Sequence, residues 1–170
     1  MRAGFSLIEL LAVLTLISLF VVSISIRWSG PYNEIKFKSD IERLVDFDFK
    51  ARRHATSRNR ECRLIVEFES NIVHASRWQN GKEQLLPLVL GGGTSIAQLL
   101  ISNGRATSGI PQLGIGPDGS TKTYAILLQQ GGKQRWIVFA GRTGQPLITS
   151  DKEDVETIFK EMLAQGTDAN

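Results

Sequence analysis

The sequence predicts an α+β protein: a long N-terminal helix, apolar in its first half and amphipathic in its second, packed on an antiparallel β-sheet head, with a short helix at the C-terminus. Three observations carry this. The apolar residues gather at one end of the 170-residue chain, although the whole is 42% hydrophobic and 22% charged, close to the globular average. After Ser29-Gly30-Pro31 an apolar spacing of three and four residues takes over. Beyond it come short β-branched and aromatic runs separated by turns rich in Gly and Asn.

The first element is the run from Phe5 to Ile26, 22 residues with no Gly or Pro and with Glu9 as its one charge. At ~1.5 Å per residue a helix of that length covers about 33 Å, enough for a bilayer core. The run ends in Ile24-Ser25-Ile26-Arg27-Trp28 without an A-x-A pattern, so a cleavage site after it is not expected. The short N-terminal side, with Arg2 and the free amine, favours an N-in, C-out orientation. A carboxylate inside a span costs ~2.5–3.5 kcal/mol at its centre and less near its end. Glu9 therefore has two readings, a side chain that snorkels to the interface or one that meets a cationic partner.

Ser29, Gly30 and Pro31 predict a kink or break, because Pro31 brings no backbone donor. The helix then resumes, with Phe37, Ile41, Leu44, Val45, Asp48, Ala51 and Ala55 at helical spacing to about Arg58. Ser39 to Glu42 matches the S-x-x-E capping box but falls inside this pattern and reads as a chance match. Strands are expected over Cys62–Phe68, Ile72–Trp78, Leu85–Leu90, Ile96–Ile101, Tyr124–Gln129 and Arg135–Ala140. The intervening Asn80-Gly81, Gly91-Gly92-Gly93, Asn103-Gly104, Asp118-Gly119 and Gly131-Gly132 imply antiparallel hairpins, forming a sheet over the amphipathic half of the helix. Last, Val155, Ile158, Phe159, Met162 and Leu163 recur at helical spacing over Asp151–Leu163, with acids at the start. This helix is expected to pack back on the head, docking to a partner being the alternative.

The chain has room for one ordinary domain, and its single cysteine, Cys62, excludes an intramolecular disulfide. His54 and His74 stand 20 residues apart, which is not a zinc spacing. Asp118-Gly119 offers too few oxygens for calcium. Gly91-Gly92-Gly93-Thr94 lacks a following Gly-Lys-Ser/Thr and reads as a flexible loop, not a phosphate cradle. No metal, cofactor, small-molecule substrate or catalytic constellation is expected, and hence no enzyme. Lys50, Arg52, Arg53, Arg58, Arg60 and Arg63 form the one patch that could bind a polyanion, read here as a solvated helix face. The last 20 residues hold six acids against two lysines, a further reason not to expect nucleic acid.

Gly4-Phe5-Ser6-Leu7-Ile8-Glu9-Leu10-Leu11 resembles the processing motif of type IV prepilins and type II secretion pseudopilins. Gly116-Pro117-Asp118-Gly119-Ser120 and Gly141-Arg142-Thr143-Gly144, with the stretch from Lys36 to Phe68, resemble turns and the helix-to-strand passage of the minor pseudopilins of the H class, a group that includes FimT-type minor pilins. The likeness reaches about Pro146. It departs in the order of the Arg and the Thr-Gly, and in the chain that continues past the last strand.

The resemblance implies a pilin-like lollipop divided into a leader (residues 1–4), a transmembrane and assembly helix (5–26), its amphipathic continuation (27–60), an antiparallel β head (61–150) and an acidic C-terminal helix and tail (151–170). It implies cutting by prepilin peptidase after Gly4, N-methylation of Phe5, and a pairing of Glu9 with the new amine of a neighbouring subunit. The implied partners are other pseudopilins or pilins met through the N-terminal helix, the peptidase and the membrane. The implied location is the bacterial inner membrane, with a cytoplasmic N-terminus and periplasmic head, and then the pseudopilus. The function expected is that of a minor pseudopilin helping to drive protein export. The alternatives are a minor pilin of a type IV pilus and, in a different class, a membrane-anchored enzyme or binding protein.

Overall fold

A computed structural model describes residues 7–79, 82–102 and 104–167. The chain divides into two compact units, Met1–Lys36 and Phe37–Asn170. Helix α1 (Leu7–Arg58) begins in the first and ends in the second. The helix runs through Ser29, Gly30 and Pro31 without the break expected there. A proline inside a helix forfeits one backbone hydrogen bond, and the long helical pattern on both sides outweighs it.

The end of α1 is built by sequence. Asn59 adopts a left-handed φ of 49°, a conformation asparagine tolerates better than most residues. Its amide donates to Thr56 O at 3.2 Å and that of Arg60 to Ala55 O at 3.1 Å, the two bonds of a Schellman cap.

Nine strands follow: β1 (Cys62–Glu67), β2 (Ile72–Gln79), β3 (Lys82–Val89), β4 (Ser95–Ile101), β5 (Gly104–Ala106), β6 (Gln112–Ile115), β7 (Tyr124–Gln130), β8 (Lys133–Phe139) and β9 (Pro146–Thr149). They form two antiparallel sheets where one was expected, of order β3-β2-β1-β6 and β5-β4-β7-β8-β9. All six expected strands exist, with ends moved by up to three residues. The additions, β5, β6 and β9, are three or four residues long and too short to show a period. Three of the five expected hairpins form, β2–β3 closed by the pair Gln79↔Lys82, β4–β5 by Ile101↔Gly104 and β7–β8 by Gln130↔Lys133; the turns at Gly91-Gly92-Gly93 and Asp118-Gly119, expected to close hairpins, instead carry the chain from one sheet to the other.

The inner faces of both sheets and one stripe of α1 share a single core. Phe37, Ile41, Leu44, Ala51 and Ala55 meet Leu64, Val66 and Val73 of the first sheet and Leu99, Ile126, Leu128 and Ile137 of the second. The outer face of the second sheet is closed by α2 (Lys152–Thr167), whose Val155 and Phe159 bury against Ala125, Leu127, Trp136 and Val138. Strand β7 is therefore covered on both sides, which is why Tyr124 to Leu128 reads as an unbroken apolar run instead of alternating. The C-terminal helix thus packs on its own head.

Candidate functional site

Within the first unit, every described side chain from Leu7 to Val22 is exposed. Leu7, Ile8, Leu16, Leu19 and Phe20 are each 66% or more accessible. Glu9 lies in the first turn of α1 and is exposed too. Gly4 and Phe5 lie outside the described residues, so the processing junction has no geometry here. Among the described residues no helix is long and apolar enough to cross a membrane; the expected span, residues 5–26, extends past the described side chains at both ends.

The second unit has its own polar centre. Asp48 and Arg52 stand four residues apart on the core-facing stripe of α1 and are 1% and 6% exposed. Arg52 Nε donates to Asp48 Oδ2 at 2.7 Å. Its Nη1 donates to Gly119 O at 3.1 Å and Gly141 O at 2.8 Å, while Nη2 is buried without a partner. The other oxygen of Asp48 accepts from Tyr124 Oη at 2.6 Å. Tyr124 stacks on Phe139 with centroids 4.8 Å apart. Its burial, and then the Asp48 charge, hold the phenol well above its ordinary range.

One guanidinium therefore ties α1 to two turns that lie 67 and 89 residues away. The first connects β6 to β7 and so crosses between the sheets. In it Gly116 N donates to Ser120 O at 2.7 Å, Asp118 Oδ1 accepts from the amide and hydroxyl of Ser120, and Gly119 takes a φ of 81°. The second connects β8 to β9. Gly141 packs so closely on Thr121–Thr123 that no Cβ fits, and a Cβ on Gly144 would stand 2.9 Å from Arg52 Cδ. Gly144 thus makes room for the arginine, Gly119 for Thr56 of α1, and Gly141 for the segment that leads into β7.

A second staple lies nearer the start of the unit. Asp40, 3% exposed, accepts from Gly91 N at 3.0 and 3.1 Å, from Thr94 Oγ1 at 2.6 Å and from Arg43 Nη1 at 3.2 Å. Gly91-Gly92-Gly93-Thr94, expected to be a flexible loop, is thus a fastened crossover from β3 to β4. Its Gly91 amide and Thr94 hydroxyl are taken up by the chain's own carboxylate.

The basic residues do not form one surface. Arg52 is internal. Lys50 pairs with Asp46 at 2.5 Å and Arg63 with Glu83 at 2.5 Å. Arg60 lies 4.8 Å over the Trp78 ring. His54 Nε2 accepts from Trp78 N at 3.2 Å, and desolvation, then the charges of Arg77 and Arg58, lower its pKa. Cys62 is buried, its Sγ 2.7 Å from Ser76 O, and burial pushes its thiol pKa up.

The Asp48–Arg52–Tyr124 centre is closed to solvent, so no substrate reaches it and its chemistry is that of a fastener. Among the described residues no group of three or more His, Cys, Asp or Glu could hold a metal ion. The sequence reading missed Asp40, Asp48 and Tyr124 and placed Arg52 outside. The signal was available, since Asp48 occupies a position of the apolar stripe, and a charge there with an arginine one turn on points inward.

No family model and no curated protein matches the chain. Among solved structures it is similar to the minor pseudopilin EpsH from the Type 2 Secretion System of Vibrio cholerae, at 11% identity and a TM-score of 0.49, over 66% of this chain and 95% of that one.

Proposed function

We propose that the chain is a minor pseudopilin of the H class, a mechanical and not a catalytic subunit, which enters a type II secretion pseudopilus through its N-terminal helix. One observation carries the reading: an all-round exposed apolar helix with one acid, Glu9, at the fifth position after a Gly4-Phe5 junction. Such a helix needs a dry environment at every stage. It lies first in the inner membrane, with the head in the periplasm, and then in a bundle of like helices. Peptidase cutting after Gly4 leaves a cationic, N-methylated amine on Phe5. Buried among apolar helices, that amine requires a counter-charge, which Glu9 of a neighbouring subunit supplies, setting the register between them.

The head supports this reading because it is a closed body, fastened by buried polar staples to the part of α1 that lies within the second unit. Energy for export comes from elsewhere in the machine. The test is the intact mass of the membrane-extracted full chain after co-expression with a prepilin peptidase. Loss of Met1 to Gly4 with one added methyl is expected, and an uncut chain would overturn the proposal. Glu9→Ala should insert and be cut, yet enter filaments poorly. Deleting the gene should abolish exoprotein secretion and leave pili intact; the reverse would point to a type IV pilus.

A further inference from the structure

We infer that His54 is a proton-operated latch near the tip of the β2–β3 hairpin: neutral, it fastens Trp78 to the end of α1, and protonated, it releases it. The latch exists because a strand stops one residue short. Strands β1 and β2 pair from Leu64↔Ala75 to Glu67↔Ile72, a register that carries Cys62 opposite Arg77, and β1 begins at Cys62. Trp78 therefore lies just beyond the end of β1. Its amide turns to α1 and donates to His54 Nε2 at 3.2 Å. The imidazole stands where a strand carbonyl would otherwise accept.

A carbonyl accepts at any ordinary pH, and an imidazole does not. Neutral histidine has one acceptor nitrogen and one N–H; with the acceptor at Nε2, the proton is on Nδ1. Protonation makes both nitrogens donors, so two N–H groups then face each other and the bond is lost. The surroundings sharpen the change. Arg77 of β2 and Arg58 of α1 both act on His54 as like charges. Lys50, one turn earlier on α1, lines the same cleft but is engaged by Asp46. Leu86, the residue that β3 contributes, is uncharged, and no carboxylate lines the cleft. Glu61 and Glu83 line a separate recess with Trp78, Arg60 and Arg63, where Arg63 holds Glu83. An imidazolium at this position thus meets two cations and no compensating acid. Desolvation, and then Arg77 and Arg58, lower the pKa, so the latch is closed at neutral pH and opens on the acid side of the ordinary histidine range.

What opens is local. Ser76 stays tied to β1, its carbonyl 2.7 Å from Cys62 Sγ and its hydroxyl accepting from Arg63 N at 2.7 Å, and the Arg63–Glu83 pair holds β3. The hairpin therefore remains in its sheet. The Trp78 peptide and its indole, over which Arg60 lies at 4.8 Å, lose their anchor on α1. Strand β3 is the edge of its sheet, so the head presents one surface at this edge when His54 is neutral and a looser one when it is charged.

The experiment is nuclear magnetic resonance of the full chain, labelled with nitrogen-15, in detergent micelles between about pH 8 and about pH 5. At the upper end the ring nitrogens of His54 should report the Nδ1–H tautomer. On acidification the Trp78 amide, its exchange normalised to the intrinsic rate at each pH, should lose protection about five- to tenfold. The loss should follow the His54 midpoint, below about pH 6.5, while Ile126 in β7 keeps its protection. His54→Gln, whose amide oxygen accepts and does not titrate, should hold Trp78 protected throughout, and His54→Lys should leave it unprotected throughout. Should His54→Lys fail to fold, His54→Ala asks the same question. An Nε2–H tautomer, a Trp78 amide indifferent to the His54 midpoint, protection that still falls with pH in His54→Gln, or protection lost at Ile126 together with Trp78 would overturn the inference.

Discussion

Replacing Arg52 by alanine removes a group that bonds to α1 and to both turns. Asp48, 1% exposed, would keep the Tyr124 hydroxyl and lose its cation, and the carbonyls of Gly119 and Gly141 would lose their buried donor. Breaking one side of a buried pair costs about 3–5 kcal/mol, a large part of a total stability of ~5–15 kcal/mol. For a unit of this size the melting temperature should fall by about 10–20 °C. Urea and thermal melts of the full chain in detergent, followed by near-ultraviolet circular dichroism, measure it. Tyr124→Phe, which removes a hydrogen bond to a charged acceptor, should lose about 1.5–3 kcal/mol. The double variant Asp48→Leu with Arg52→Met separates a fastener from a simple ion pair. An isolated buried pair can be replaced by apolar residues at little cost, but here two carbonyls and a phenol would stay unpaired, so the variant should remain clearly destabilised. A loss below about 1 kcal/mol in Arg52→Ala, or a double variant as stable as the wild type, would refute the reasoning.

Three further outcomes follow from the same geometry. Gly141→Ala should be among the worst glycine substitutions, since its Cβ would stand 2.7 Å from Thr123 N and 2.9 Å from Lys122 C; a loss of at least about 2 kcal/mol is expected. Gly114→Ala, with nothing within 4 Å, should lie within about 0.5 kcal/mol of wild type, and thermal melts compare the two. His54 has a lowered pKa in the fold, so the unfolded chain takes up the proton first. Its contribution is complete above about pH 6.5 and is lost as pH falls from there through the folded value; urea melts across that range should show a slope that His54→Gln removes. Phe159→Ala should loosen α2 at a cost of ~3 kcal/mol, exposing Trp136, which is 3% accessible, to a red shift in fluorescence and raising hydrogen exchange in α2 above that of β7 and β8.

The elements most legible in the sequence were those whose signal is local. The stripe Phe37, Ile41, Leu44, Ala51 and Ala55 is a period of 3.6 within one helix and appears in the core as read. The β7–β8 hairpin needed only two apolar runs around Gly131-Gly132, both of which take positive φ. Val155 and Phe159 faced inward as their spacing required. At Pro31 a local rule failed because the helical preference of its surroundings prevailed.

The residues of the candidate sites differed in how strongly the sequence marked them. Glu9 stood out because a charge in an apolar run is anomalous within a few residues. Arg52 did not, because a surface arginine and a buried one are the same letter; only Asp48 at a core position hinted at the difference. Gly91-Gly92-Gly93-Thr94 was misread as loose for the same reason, since its partner, Asp40, lies 51 residues earlier.

The sequence alone determined the apolar helix with its single acid, the amphipathic continuation, the main hairpins and the acidic C-terminal helix, because each is a pattern of composition or period read over a few turns. Only the tertiary structure decided that the strands part into two sheets, that three short strands complete them, and that Asp40 and Arg52 fasten the crossovers. Those outcomes depend on which groups meet across 51 to 89 residues of chain, where burial and hydrogen-bond satisfaction select among arrangements that local preference leaves equal.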